Sequence, residues 1–529
     1  MDDLVFLKPN IQVEPLVNSW YAWSHLVSPA TAAFNLTRRH TEMLESYLKA
    51  PHLHKAAIKN PAMRGGPFLN LEGGKIEEIR ALLDNTRNQG LPLFEFAEAV
   101  RELDRMLMGK ATGFSMHELY AGVPEILRGY VELVYDLHNR PSYRFFEALL
   151  YESPFYIEAL QTIALSEITG DQDRSFILST PRVGDEQTLY LPLNFASEKL
   201  DELFKMKRQP KSLGYIEGIL GIDDNAQSLF ESFFTTEAPA PYESPNADQP
   251  RVRFFGHACL LIELAGMSIL IDPVISYNYQ SEIRRDTYDD LPDEIDFVLI
   301  THNHPDHILL ETMLQIRHKV KNVILAQNMD GLIQDPSLKL LLDNLGFKNV
   351  REIRELEKVQ FKGGFIMGIP FIGEHNDLLM HSKLCYHINI GGHKILAMAD
   401  SCNIEPRLYE KVHRITGDMD ILFIGMECDG APVSLIYGPL FMEKLEHKKD
   451  RSRLARGCNY EECLDIVHRF NCKQVYVYAM GMEPWVQYIL DLEYNEQSNS
   501  ILQSNQLVKK CLSEGRIAER LFAEKELVL

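Results

Sequence analysis

No apolar run in this chain reaches the roughly 18 residues that a membrane-crossing helix needs. Even the stretch 258–271 is broken by Glu263. The opening residues, MDDLVFLKPNIQVEP, carry two acids and no basic segment ahead of an apolar one, so they do not read as a secretory signal, and the expected location is cytoplasmic. Cysteine is present eight times but never at paired short spacings, which excludes a disulfide frame or a zinc knuckle and predicts reduced, buried thiols. Cys402 and Cys428, the two nearest to the site residues argued below, are expected to be small buried hydrophobes and not ligands. Positive charge is also short. Against 75 Asp and Glu stand 54 Lys and Arg, a net charge of −21, and such a surface offers no basic footprint for nucleic acid. A basic partner or a neutral small substrate fits better. No internal repeat or low-complexity tract is evident.

With 529 residues, 45% of them hydrophobic, the chain exceeds one ordinary core and predicts at least two domains. The break falls at TTEAPAPYESPNADQP, residues 235–250, where periodicity stops and Ala and Pro alternate. Expected boundaries are therefore a mainly helical domain over 1–235, a linker over 236–250 and a second domain over 251–529. In the first, TRRHTEMLESYLKA, KIEEIRALLDNTRNQ, LFEFAEAVRELDRMLMGK and EILRGYVELVYDLHNR place apolar residues at helical spacing. RSFILSTPRVGDEQTLYLPLNF predicts a small β-hairpin around a Val-Gly-Asp turn.

After the linker the pattern changes to short apolar strands bounded by Gly, Asp and Pro: VRFFGHACLLIELAG, MSILIDPV, DFVLITH, NVILAQN, FIMGIPFIG, CYHINIGG, HKILAMAD, DILFIGM and QVYVYAM. Helical stretches such as ILLETMLQIRHKV and YEECLDIVHRF lie between some of them. The mixture predicts an α/β sandwich with helices outside two sheets.

Directly after the strand DFVLI comes THNHPDH, residues 301–307. Residues two apart on an extended segment point the same way, so His302 and His304 can converge on one ion. Pro305 suits the first turn of a helix, which places Asp306 and His307 where the chain turns and lets them face a second ion. Imidazole is the commonest metal ligand and carboxylate a hard one, and the density of both here is difficult to explain otherwise. Further ligands are expected at later strand ends. Asp400, closing HKILAMAD, is a buried acid placed to bridge two ions. GIPFIGEHND offers Glu374 and His375, and the local sequence leaves the choice between them open. Asp272, in ILIDP, is expected to support the histidine loop through hydrogen bonds. His257, His387 and His393 are expected in the core or on the surface and not as ligands.

The ordered set RVRFFGHACLLIE, ILIDP, THNHPDH, GEHND and AMAD resembles the metallo-β-lactamase superfamily over 251–529, which implies an αββα sandwich. One departure stands out. Most relatives are zinc hydrolases with one more histidine after the last core strand, where this chain has Ala479 and Met480. The site is thus poorer in imidazole and richer in oxygen donors, which favours iron over zinc and leaves room for dioxygen. Together with the length and the helical N-terminal half, the chain is similar to the di-iron β-hydroxylases typified by the enzyme of chloramphenicol biosynthesis. That resemblance implies a dinuclear non-haem iron cluster held by His302, His304, Asp306, His307, Glu374 and Asp400, with Glu374 and Asp400 also the catalytic pair. It implies O2 as co-substrate, an external electron donor, and an amino acid, such as p-aminophenylalanine, tethered as a thioester to the carrier domain of a nonribosomal peptide synthetase. A homodimer formed through the N-terminal domain is implied as well.

The segment DGAPVSLIYGPLFMEKLEHKKDRSRLARG, 429–457, is unusually long for a connection and is expected to cover the site. Its basic run, His447 to Arg456, would suit an acidic carrier protein, or would simply be a solvated face. Two other functions remain in view: a dinuclear zinc or manganese hydrolase of a lactone, thioester or phosphodiester, and a docking protein with a structural metal site.

Overall fold

The computed structural model describes residues 4–246, 248–329 and 331–529. The two acids of the N-terminal reading, Asp2 and Asp3, lie outside the described residues, as does Ala247 of the expected linker.

In the C-terminal half the strands form two seven-stranded sheets. The first runs, edge to edge, Val350–Ile353, Val320–Ala326, Ile295–Leu299, Met267–Ile271, Leu260–Leu264, Arg251–Phe254 and Lys525–Val528. The second runs Lys358–Phe361, Gly364–Pro370, Leu384–Ile390, His393–Ala397, Ile421–Gly425, Gln474–Tyr478 and Ile517–Arg520. Alternation along each strand splits its side chains between two cores. Leu260, Ile262, Ile269, Ile271, Leu299 and Ile324 face the second sheet, while Leu261, Leu270, Val298 and Val323 face outward. On the second sheet Ile421 and Phe423 point inward, and Leu422 and Ile424 meet the helices Pro406–Thr416, Tyr460–Arg469 and Asn499–Ser513. This is the expected αββα sandwich.

The outward face of the first sheet is covered by the N-terminal half, and the apolar cluster is continuous across the two. Helices Ile76–Gln89 and Leu91–Lys110 appear where the spacing predicts them, burying Ile79, Leu82 and Leu83, and Leu93, Phe96, Val100 and Leu103. Residues 125–140 differ from expectation: a short 3₁₀ turn, Glu125–Leu127, is followed by the strand Val131–Tyr135, which pairs with Pro141–Phe145 in a true hairpin. The alternation of Val131 and Leu133 toward the core outweighs the helical spacing. The predicted hairpin at Val-Gly-Asp is not built as expected, because Leu189–Leu191 pairs instead with Gln161–Glu167, itself the partner of Ile11–Val17. No helix among the described residues is long and apolar enough to cross a membrane.

A buried ion network ties the halves together. Arg174 reaches Glu14 and Glu311, each at 2.6 Å, and Arg182 also holds Glu14 at 2.8 Å. Glu311 lies on the helix Leu310–Ile316, which follows the histidine motif, and accepts hydrogen bonds from Tyr21 and Tyr277.

Candidate metal centre

Parallel strands Met267–Ile271 and Ile295–Leu299 end side by side, and the chain then changes direction at once. Asp272 leaves the first with φ +43. Its carboxylate accepts from Thr301 N at 2.8 Å, from Thr301 Oγ1 at 2.5 Å and from His307 Nδ1 at 2.8 Å. That is the supporting role the sequence predicts. A turn closed by His307 N and Ile308 N, both donating to His304 O at 3.0 Å, then brings His302, His304 and His307 together before the helix starts at Leu310.

From the second sheet come Glu374 and Asp400. Glu374 Oε1 stands 2.8 Å from His304 Nδ1 and Oε2 3.7 Å from His302 Nε2. Asp400 Oδ2 lies 2.9 Å from His307 Nε2 and 3.7 Å from His302 Nε2, between the two. Asp306 Oδ2 is 3.6 Å from His307 Nε2. All six predicted residues therefore meet at one edge of the sandwich. Gly425, on the neighbouring strand, makes room: a Cβ there would stand 2.5 Å from Asp400 Oδ1.

Three groups of donors converge closely enough to hold an ion: His302, His304 and Glu374; His302, His307 and Asp400; His257, Asp306 and His307. A pair of hard cations fits this set, because His302 Nε2, His307 Nε2, Glu374 Oε2 and Asp400 Oδ1 are buried and close to one another, yet none makes a well-directed hydrogen bond. Buried polar atoms are rarely left so, and here they point at one another's charges. Burial alone would raise Glu374, but His304, His375 and His302 hold it well below the usual carboxylate range. Asp306 is held low in the same way, burial being outweighed by His307 and His257. Both are ready as anionic donors.

His375, left open by the sequence, lies within the cluster: its ring stacks on His304 at 4.6 Å, with Nδ1 2.9 Å from Glu374 Oε2. His257 lies closer to the cluster than its sequence neighbours suggest. It is buried, as expected, and its Nε2 meets Asp306 Oδ2 at 3.1 Å, which places it beside the donors. The turn that aims it needs Gly256, at φ +97, where a Cβ would strike Trp485 at 2.8 Å. Ala479, where a final histidine was expected, donates its N–H to His257 O at 2.7 Å, so an imidazole does stand on that side of the site, from another strand end. His387 is buried on its strand against Phe365, and His393 is half-buried on the next; neither belongs to the cluster. Cys402 is buried with its thiol on Arg456 O, and no cysteine joins a donor group among the described residues.

Two further residues were missed by sequence reasoning. Tyr437, in the long segment, places its hydroxyl 3.3 Å from His304 Nε2. His25, from the N-terminal half, packs against Tyr437 at 5.7 Å, fully buried, and burial holds it down to about 3. No local pattern marks either one; only the closure of the fold brings them to the site.

Fold and donors together define a dinuclear metalloenzyme on the metallo-β-lactamase scaffold. Residues 6–239 match the family model described as the diiron non-heme beta-hydroxylase N-terminal domain, and 251–434 match the beta-lactamase superfamily domain. The chain is 38% identical to the 4-amino-L-phenylalanyl-[CmlP-peptidyl-carrier-protein] 3-hydroxylase of Streptomyces venezuelae, over 99% of each. It superposes on the crystal structure of CmlA, a diiron beta-hydroxylase from Streptomyces venezuelae, with TM-score 0.94, 36% identity and 100% coverage of both chains. A UPF0173 metal-dependent hydrolase of Flavobacterium johnsoniae is 35% identical, over only 24% of this chain and 59% of its own. The chain belongs to the diiron non-heme β-hydroxylase family.

Proposed function

We propose that this enzyme hydroxylates the β-carbon of an amino acid held as a thioester on the carrier domain of a nonribosomal peptide synthetase, using O2 and electrons from an external donor. The side chain to test first is 4-aminophenylalanine, the group named for the Streptomyces relative. The observation that carries the reading is the full-length likeness to a carrier-bound amino-acid hydroxylase, joined to a donor set in which three carboxylates stand among the imidazoles. It also tells against the hydrolase reading, whose relatives share only the second half.

In the proposed assignment His302, His304 and Glu374 would hold one iron, Asp306 and His307 would hold the other, and Asp400, close to both His302 and His307, would contribute to the pair. When bound, the iron pair supplies the dioxygen chemistry and electron transfers that side chains lack. The protein fixes the donors and shields them. Asp272 accepts the Nδ1 proton of His307, which leaves Nε2 free to bind. Phe371 packs on His302 at 5.2 Å and, with Tyr437, walls the histidines from water. Asp306 and Asp400 are the most solvent-exposed of the six donors, at 14% and 13%. Self-association through the N-terminal half and a cytoplasmic location belong to the same proposal; the eight free cysteines agree with the second.

The test is aerobic turnover of the loaded carrier by iron-reconstituted, chemically reduced protein, read by mass spectrometry for one added oxygen. Hydrolysis of the thioester without oxygen insertion, with zinc retained in place of iron, would defeat the proposal. Glu374→Ala is expected to abolish hydroxylation while the melting profile stays cooperative; full activity would remove Glu374 from the mechanism.

A further inference from the structure

The long segment 429–457 is not a solvated loop. Its two ends pair as Ala431–Pro432 with Leu454–Ala455, and between them lie the helices Ser434–Tyr437 and His447–Ser452. The inner side is bound to the metal site at several points. Tyr437 reaches His304, and Asn376, two residues after Glu374, donates through Nδ2 to Ala431 O at 3.0 Å and to Arg453 O at 2.8 Å. From the N-terminal half, Arg39 donates to Leu435 O and to Ile436 O at 3.4 Å, and Arg38 to Pro439 O at 3.2 Å.

The outer side concentrates cations on an acidic chain, with Glu443 and Glu446 exposed at its N-terminal end. Lys444, His447, Lys448, Lys449 and Arg451 are exposed there. Lys449 is partnered by Glu446 at 3.5 Å, but no ion pair engages Lys448 or Arg451 among the described residues. The one acid of that helix, Asp450, is turned to the structure's own use: it accepts from Ser434 N and Ser434 Oγ, both at 2.8 Å, and so straps the cationic helix to the helix that carries Tyr437. A cationic face is thus built onto the cover of the site itself, on a molecule of net charge −21.

We propose that the outer face of helix His447–Ser452, centred on Lys448 and Arg451, is the docking surface for the aminoacyl carrier domain, whose phosphopantetheine arm brings a phosphodiester anion to the mouth of the site. The inference rests on the carrier-bound substrate proposed above. Charge on such a rim acts on encounter and on salt dependence more than on the chemistry. A strap of hydrogen bonds from the docked helix to Tyr437 and Asn376 fixes where the arm enters relative to His304 and Glu374.

The experiment compares full-length wild type, Lys448→Glu/Arg451→Glu and Lys362→Glu for affinity toward the loaded carrier and for KM and kcat, at low and raised ionic strength. Lys362, also exposed, sits on the turn at the far end of the strand Gly364–Pro370, away from the site. The double reversal is expected to weaken binding and raise KM by about ten-fold or more, to leave kcat within about two-fold, and to remove most of the salt dependence, whereas Lys362→Glu changes little. Unchanged affinity in the double variant, or an equal loss in Lys362→Glu, overturns the docking surface while leaving the hydroxylase intact. Wild type that neither binds nor hydroxylates the loaded carrier fails the functional proposal instead. A double variant with lower kcat but unaltered KM also overturns the assignment, because the defect is then in the site.

Discussion

Asp272→Asn should cost the enzyme its second metal without unfolding it. The native carboxylate only accepts, so His307 must carry its proton on Nδ1 and present the lone pair of Nε2 toward Asp400. An asparagine has no orientation that preserves this. If its nitrogen faces His307, the amide donates to Nδ1, the proton moves to Nε2, and the ligating nitrogen is blocked. If its nitrogen faces the backbone instead, it meets Thr301 N–H, donor against donor, in a fully buried place. Either way a charge-assisted hydrogen bond worth about 1.5–3 kcal/mol is lost. Partners behind a metal-binding histidine typically govern affinity by about 10–100-fold, or roughly 1.4–2.8 kcal/mol, so the two estimates agree. Graded chelation followed by elemental analysis reads the outcome, with circular dichroism as the control for folding. The variant should fall toward about one tightly held iron per chain, and Thr301→Val, which removes only the Oγ1 bond, should show a smaller loss. An Asp272→Asn protein that keeps both irons at wild-type affinity refutes the argument.

Gly425→Ala would press a methyl into Asp400 Oδ1 and Ala399 O, so iron content and hydroxylation should drop together; Gly218→Ala, which meets open space, should leave both unchanged. Glu14 supplies a pH test. Burial raises its pKa, but Arg182 and Arg174 outweigh this and lower it from 4.5 to about 2. A depressed folded-state pKa stabilises above the unfolded value and is lost as pH falls from about 4.5 to about 2, by about 3 kcal/mol at most. The stability gap between wild type and Glu14→Gln, from denaturant titrations, should therefore be widest near neutrality and close across that window; a gap independent of pH would contradict the burial of this ion network. Asn376, at φ +54, combines a left-handed backbone with bonds to both ends of the covering segment. Asn376→Ala should cost about 2–3 kcal/mol and most of the activity, and Asn376→Gly should restore the backbone share of the stability but not the activity. Equal activity in the two variants and wild type would show that the bonds do not position Glu374.

Sequence alone revealed the sandwich because alternation there is strict and local: Ile269, Leu270 and Ile271 must face two different cores, and the strand declares itself. The histidine motif was legible for the same reason, since its donors lie within one turn of chain. Asp400 could be found because an acid ending an apolar strand needs a partner. Elsewhere the deciding contacts are remote. Residues 131–135 satisfy a helical spacing as readily as an alternation, and only pairing with Pro141–Phe145 decides it. Ile11–Val17 finds its partner at Gln161–Glu167, a register no local pattern contains. His257 looked like any lone histidine on an apolar strand, and what ties it to the donor cluster is Asp306, brought to it by the order of the sheet.

The site's edge is also where the backbone is least relaxed. His257, Asp272, Glu374, Ala399 and Ala479 all have φ between +43 and +68, and each lies in the turn that follows a strand, within one to four residues of its end. A left-handed conformation costs a residue with a side chain roughly 1–2 kcal/mol, so five of them cost about as much as the whole net stability of an ordinary domain. Such a cluster persists only if the surroundings impose it, and they do: the strands pack their side chains into the apolar core between the sheets, and the chain must change direction within a few residues of their ends. A relaxed exit would carry the side chains onward along the strand direction. The left-handed exits of Asp272 and Glu374 turn them sideways, across the edge, where donors from both sheets meet. In this arrangement the strain and the convergence of ligands have one cause, and a bound ion pair, by attracting the donors, offsets part of the cost of holding them there.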